Sequence, residues 1–209
     1  HKVHLIAEQV KGFRALICRK SRRDMTDSVL KTWESDVLPP LHPAMRGPGR
    51  MTRHSYTYPN GSEVVVGGLD DASKTFSAEY DIVVVHEATE ATEDDWEKLQ
   101  RSLRNHKLEY QQAIAECNPG HANHWLNLRA KLGRMRRMKA TFADNPSIRP
   151  DYLDRLRKLR PYLKARLYDG LWFSAEGQIW ENFEVAKHVL DGQLRRDDDG
   201  TWRLYVVQW

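Results

Sequence analysis

Ile82-Val83-Val84-Val85 is the stretch that most restricts how this chain can fold. Four consecutive β-branched aliphatic residues leave no polar side chain to face solvent, so they predict a strand buried on both faces. Such a strand belongs inside a largely parallel sheet covered by helices. His86 and Glu87 follow at once. A carboxylate there stands at the carboxyl edge of the sheet, where open α/β sheets bind their ligands. Acids also end strands at plain surface turns. Taken alone, Glu87 is therefore either an exposed turn residue or a carboxylate placed for chemistry.

The rest of the chain supplies the expected partners. Residues 1–11 carry Val3, Leu5, Ile6 and Val10 at spacings that suit one face of a helix, ended by Gly12. Residues 13–18 read as a second buried strand, and 24–37 as a helical pattern on Met25, Val29, Trp33 and Val37. Four prolines make 39–50 a loop. Two β-like runs, 53–58 and 62–67, flank Pro59-Asn60-Gly61-Ser62, a hairpin signal. After the strand at 80–85, Thr92 caps a helix over 94–105, with Asp95 three residues on. Residues 110–117 predict a strand, 121–132 a helix, 135–142 a strand, and 150–157 and 162–171 helices. Near the end, an acidic turn at 197–199 precedes a strand-like run from Trp202. Strands that alternate with helices predict an α/β sheet with helices on both faces.

Composition narrows the function classes only a little. The 209 residues carry a formal charge of +4, compatible with a polyanionic partner but equally with solvated surface lysines and arginines. Cys18 and Cys117 have neither CxxC nor zinc spacing, and each sits in an apolar run. They predict small buried side chains in a reducing compartment. No apolar run approaches the roughly 18 residues of a membrane span, and no signal-peptide pattern opens the chain, so no membrane role is expected.

A second strand end resembles the first. Ile114-Ala115-Glu116-Cys117-Asn118-Pro119-Gly120 closes a strand on polar residues, read either as a γ-phosphate-sensing edge or as a simple Asn-Pro turn. Nucleotide hydrolysis uses one group to orient water and acids to organise Mg²⁺. The succession strand, acid, helix, strand, polar residue fits two neighbouring strands of an ATPase sheet.

These residues resemble the ATPase region of a tailed-phage terminase large subunit of the PBSX-like type. The resemblance rests on 13–20 (FRALICRK) with Asp27-Ser28-Val29, Gly67-Gly68-Leu69, and 80–90 (YDIVVVHEATE). It continues through 95–99 (DWEKL), Leu103-Arg104-Asn105, Cys117-Asn118-Pro119, and His124-Trp125-Leu126. It ends with Asp144-Asn145-Pro146-Ser147, 167–172 (LYDGLW) and Ala175-Glu176-Gly177. It spans about residues 1 to 190.

The resemblance implies a P-loop NTPase-type, RecA-like sheet with flanking helices. It implies a partial ATPase domain over 1–175, then over 176–209 a linker and the start of an RNase H-like nuclease domain. Glu87 then matches the catalytic glutamate, and Asn118 the motif that couples γ-phosphate loss to movement. Lys74 falls near the position of a basic residue that reaches a neighbouring subunit's nucleotide. Arg19 and Lys20 stand near the nucleotide or form surface ion pairs. ATP and Mg²⁺ are the implied cofactors. The implied partners are double-stranded DNA, a portal protein and a small terminase subunit, in a ring on a procapsid in the host cytoplasm.

Two departures qualify these roles. The phosphate-binding loop G-x-x-x-x-G-K-[ST] is absent from the 209 residues and would stand before residue 1. The stretch by itself is therefore expected not to bind ATP measurably. Where the resemblance calls for a Mg²⁺-organising aspartate stands His86, a poor ligand for a hard cation, leaving at most a water-mediated role. The alternatives are an inactive prophage remnant or another P-loop ATPase such as a helicase.

Other candidates carry weaker readings. His121 and His124 are one helical turn apart and predict capping rather than a metal pair. Arg134, Arg136, Arg137 and Lys139, with the basic helical stretch 155–166, could touch phosphates or simply face solvent. Trp33, Trp96, Trp125, Trp172 and Trp180 lie in apolar patterns and predict core packing.

Overall fold

A computed structural model describes residues 1–70, 77–174, 192–196, 198, 200 and 202–206. Contacts divide the chain into two compact units, His1–Phe173 and Ser174–Trp209. The first holds helix α1 (Lys2–Gln9), then β1 (Arg14–Arg19), a short α2 (Val29–Thr32), β2 (Ser55–Thr57), β3 (Glu63–Gly68) and β4 (Ile82–Val85). It continues with α3 (Glu93–Arg101), β5 (Gln112–Ala115), α4 (Trp125–Lys131), α5 (Pro150–Arg157) and α6 (Pro161–Leu167).

The five strands form one sheet in the order β2-β3-β1-β4-β5. β3, β1, β4 and β5 run parallel, and β2 returns antiparallel on the edge beside β3. The register sets Ile17 opposite Val66 and Val84, and Val85 opposite Cys18 and Ala115. Burial on both faces is borne out. Ala15, Ile17 and Ile82 enter one core with Val3, Ala7, Leu30 and Trp33. Leu16, Cys18, Val83 and Val85 enter the other with Trp96, Leu99 and Leu126. Alternation along β1 and β4 thus feeds two helix-covered layers, the α/β arrangement the sequence predicts.

Several local devices hold this frame. Asp81 is fully buried at the start of β4. Its carboxylate accepts from the Arg14 and Lys107 backbone N–H groups at 3.0 and 2.8 Å, and from Asn105 Nδ2 at 2.6 Å. One side chain therefore fixes the amino ends of β1 and β4 and the loop that leads to β5. Thr92 and Asp95 form a reciprocal capping box on α3. The hairpin at 58–62 forms as predicted, with Gly61 at φ 82°; Asn60 Oδ1 accepts from Ser62 N at 3.0 Å. The proline-rich loop is pinned by the nearly buried Arg53, whose guanidinium donates to the carbonyls of Ala44, Met45 and Arg46.

Three expectations change. Residues 135–142 form no strand: Arg136, Arg137, Met138 and Lys139 are exposed, and the run joins no sheet. Its mixed apolar and basic residues suit a strand only where a partner edge exists, and Arg137 instead bonds Asn127 Oδ1 at 2.6 Å. The helix expected over 24–37 is broken into a 3-10 turn, α2 and a five-residue π turn from Trp33 to Val37. Cys117 is half-buried rather than buried, because it lies past the end of β5; Cys18 is buried, and both thiols are free. In the second unit, β6 (Gly192–Arg196) and β7 (Trp202–Val206) pair antiparallel. Between them Asp198 is exposed, and residues 197 and 199 of the acidic run lie outside the described residues. Among the described residues no helix is long and apolar enough to cross a membrane.

Candidate functional site

The carboxyl ends of β1, β4 and β5 bring Arg19, His86, Glu87 and Glu116 together. Parallel pairing does this directly, since Val85 lies beside both Cys18 and Ala115. His86 N donates to the Cys18 carbonyl at 2.8 Å, and Glu116 N to the Val85 carbonyl at 2.9 Å. The polar residues after each strand are thereby held by the last rungs of the sheet.

Glu87 adopts a left-handed conformation, φ 48° and ψ 48°. The turn is closed by Glu90 N donating to the Glu87 carbonyl at 2.9 Å. Ala88 N donates to the Glu116 carbonyl at 2.9 Å, tying the turn to β5. A non-glycine residue held at positive φ costs free energy, and such strain gathers at functional sites. The Glu87 side chain is half-buried and its carboxylate has no hydrogen-bond partner among the described residues.

The neighbours are engaged. Arg19 grips Glu90 with two bonds, Nε to Oε2 at 2.9 Å and a terminal nitrogen to Oε1 at 2.7 Å. That hydrogen bond holds the Glu90 carboxyl below the usual carboxylate range. Lys20 Nζ meets Asp95 Oδ2 at 3.0 Å. Both cations sit at the sheet edge within ion pairs. His86 Nδ1 lies 3.1 Å from Glu116 Oε2. The hydrogen bond from His86 holds the Glu116 carboxyl low, and the Glu87 backbone N–H adds to it. Burial, with Glu116 and Glu87 nearby, pushes the Cys117 thiol up to about 11, so it stays protonated and unreactive at neutral pH. Asn118 is exposed, with no hydrogen-bond partner among the described residues. Lys74 lies outside the described residues.

The loop after β4 is also clamped from α4. His124 Nε2 bonds the Thr89 carbonyl at 3.2 Å, Trp125 Nε1 donates to the Ala91 carbonyl at 2.8 Å, and Trp172 stacks on His124 at 5.6 Å. His124 Nδ1 accepts from Leu126 N and His121 Nδ1 from Asn123 N, so both imidazoles cap backbone, as expected. Trp33 and Trp96 are buried in the cores. Trp180 lies outside the described residues.

Nothing in the sequence by itself gives Glu116 a role. Its significance follows only from parallel pairing that sets it beside His86. A second cluster, His4, Glu8 and His42, brings one ligand atom each within 4.8 Å. It borders a cleft of about 280 Å³ lined by Glu8, His42, Tyr58 and Asn60. Ala44 N donates to His42 Nδ1 at 3.2 Å, which puts that ring's proton on Nε2, where it meets Glu8 at 2.8 Å. The ring then has no lone pair to offer a metal. The cluster pins α1 to the proline-rich loop.

The profile of the phage terminase large subunit family matches residues 9–167. The chain belongs to that family. Among solved structures it is similar to the large terminase of a thermophilic bacteriophage, with a TM-score of 0.64 and 16% identity. That match covers 90% of this chain and 47% of the other. The same phage protein in complex with ADP matches with a TM-score of 0.61 and 16% identity over 86% of this chain and 46% of the other. In complex with ATP-γ-S it matches with a TM-score of 0.64 and 15% identity over 90% and 46%. The chain therefore spans about half the length of these terminases. No curated protein sequence matches it.

Proposed function

We propose that this terminase chain carries the water-activating side of an ATPase site whose hydrolysis drives double-stranded DNA into a procapsid. The observation that carries the proposal is Glu87: a half-buried carboxylate without a partner among the described residues, strained at φ 48°, at the carboxyl end of a central parallel strand. A carboxylate in that place accepts a hydrogen bond from water and orients it for in-line attack on a phosphorus atom. Asn118 is exposed past the end of the neighbouring strand, and in this reading it registers loss of the γ-phosphate.

The chain's residues fit a hydrated cation better than a naked one. Glu116 supplies carboxylate oxygen beside His86, whereas imidazole itself suits Mg²⁺ poorly. Mg²⁺, when bound with ATP, neutralises charge on the phosphate oxygens. The triphosphate also needs a cradle of backbone N–H groups, which the motif G-x-x-x-x-G-K-[ST] supplies and which the sequence of the 209 residues does not show. The outer edge of β5 pairs with no strand among the described residues and would accept the strand that bears such a cradle.

The proposal extends to a partial ATPase domain over 1–175 and the start of a nuclease domain over 176–209. It includes a portal protein and a small terminase subunit as partners, a homo-oligomeric ring on the procapsid, and the host cytoplasm as location. The decisive test is Glu87→Ala in the full-length protein. ATP turnover should vanish while the melting temperature and nucleotide binding stay intact. Turnover within a few-fold of the parent would sink the reading.

A further inference from the structure

Where β4 and β5 end, His86 and Glu116 come side by side, and neither strand alone contains the pair. His86 Nδ1 and Glu116 Oε2 are 3.1 Å apart. A carboxylate facing Nδ1 keeps the ring proton there. With the proton on Nδ1, the lone pair of this tautomer lies on Nε2. Among the described residues Nε2 has no hydrogen-bond partner. The His86 side chain is 26% exposed and that of Glu116 60%, so the pair opens to solvent at the edge where Glu87 stands.

Direct metal ligation does not fit this geometry. The side chains of His86, Glu87 and Glu116 do not converge; among the described residues only His4, Glu8 and His42 bring three ligand atoms within 4.8 Å. Imidazole is also mismatched to Mg²⁺, which dehydrates reluctantly and keeps several waters. Those waters are hydrogen-bond donors, and a neutral imidazole with a free Nε2 accepts from them.

We propose that Glu116 is a positioning residue, which holds His86 so that Nε2 accepts a hydrogen bond from the water shell of a divalent cation bound with nucleoside triphosphate. This inference rests on the ATPase reading of Glu87. Within it, the pair does across two strands what one acid could do on one.

The test uses the full-length protein, with Mn²⁺ as the probe in the presence of ATP-γ-S. Bound Mn²⁺ is read by electron paramagnetic resonance, and the metal dependence of ATP turnover is measured in parallel. Glu116→Gln should weaken Mn²⁺ binding about 10- to 100-fold, the usual loss when a group orienting a ligand is removed. The double variant His86→Asp/Glu116→Gln should return it to within about 3-fold of the parent, since a carboxylate at 86 no longer needs orienting. Circular dichroism melting separates a structural role: a Glu116→Gln variant that melts early yet binds Mn²⁺ like the parent overturns the inference. So does a double variant that fails to recover. Glu87→Ala distinguishes the two readings. If it abolishes turnover while Glu116→Gln leaves Mn²⁺ affinity unchanged, the ATPase reading stands and the positioning role falls. If the parent neither binds Mn²⁺ with ATP-γ-S nor hydrolyses ATP, both fall together.

Discussion

Replacing Glu87 by glycine and by alanine should rank the two variants in an order opposite to the usual one. Glu87 sits at φ 48° and ψ 48°, a conformation in which a Cβ crowds the backbone. The left-handed region costs a non-glycine residue about 1–2 kcal/mol. Glycine escapes that penalty but loses about 0.5–1 kcal/mol more than alanine through the freedom of the unfolded chain. Glu87→Gly should therefore be more stable than Glu87→Ala by about 0.5–1 kcal/mol, a difference of these two terms. At an ordinary negative φ the order would reverse by a similar amount. For a unit of this size, 1 kcal/mol corresponds to roughly 2–4 °C in melting temperature, so thermal and urea unfolding together resolve the sign. Both variants should lack ATP turnover. A glycine variant less stable than the alanine variant would show that the turn after β4 is not held in the left-handed region. The case for a strained catalytic carboxylate would then lose its physical basis.

Other perturbations probe the frame around the site. Asp81→Ala strands several donors in the core at the amino ends of β1 and β4; it should cost about 3–5 kcal/mol in urea unfolding, and a loss under about 1 kcal/mol would refute its role as the anchor. Gly68→Ala places a Cβ 2.6 Å from the Arg22 backbone nitrogen and 2.1 Å from Asp70 Oδ1. The backbone at the end of β3 must then shift, and a clear drop in melting temperature follows; an unchanged one would contradict the close approach. Burial lowers the pKa of His4 and of His124, so the unfolded chain binds protons first as pH falls. Their contribution is present above about pH 6.5 and is lost as pH drops towards the lowered folded values. His4→Asn should flatten the melting temperature between about pH 7 and pH 5, and an unchanged slope would rule out His4 as a source.

Much of the site's scaffold was legible in the order of residues. Ile82–Val85 could only be a doubly buried strand, because four branched apolar side chains leave neither face for water. Thr92 with Asp95 announced the start of α3, since capping depends on residues three apart. Asn60-Gly61 announced the hairpin for a similar local reason. The run at 135–142 failed the same reasoning because a strand also needs an edge to pair with, and that is a property of the assembled sheet.

By itself, then, the sequence determined the central strand, the acid that follows it and the family to which the chain belongs. Only the tertiary structure decided what that acid's neighbours are. Parallel pairing of β4 with β5 set Glu116 against His86, 30 positions away in the chain, and pairing of β1 with β4 brought Arg19 to the edge turn, where it meets Glu90. It also decided the left-handed backbone at Glu87, since that conformation is imposed by hydrogen bonds from the turn and from β5 rather than by any preference of glutamate. Local spacing can specify a cap or a turn; it cannot specify which strand ends share an edge, and that edge is where the chemistry would take place.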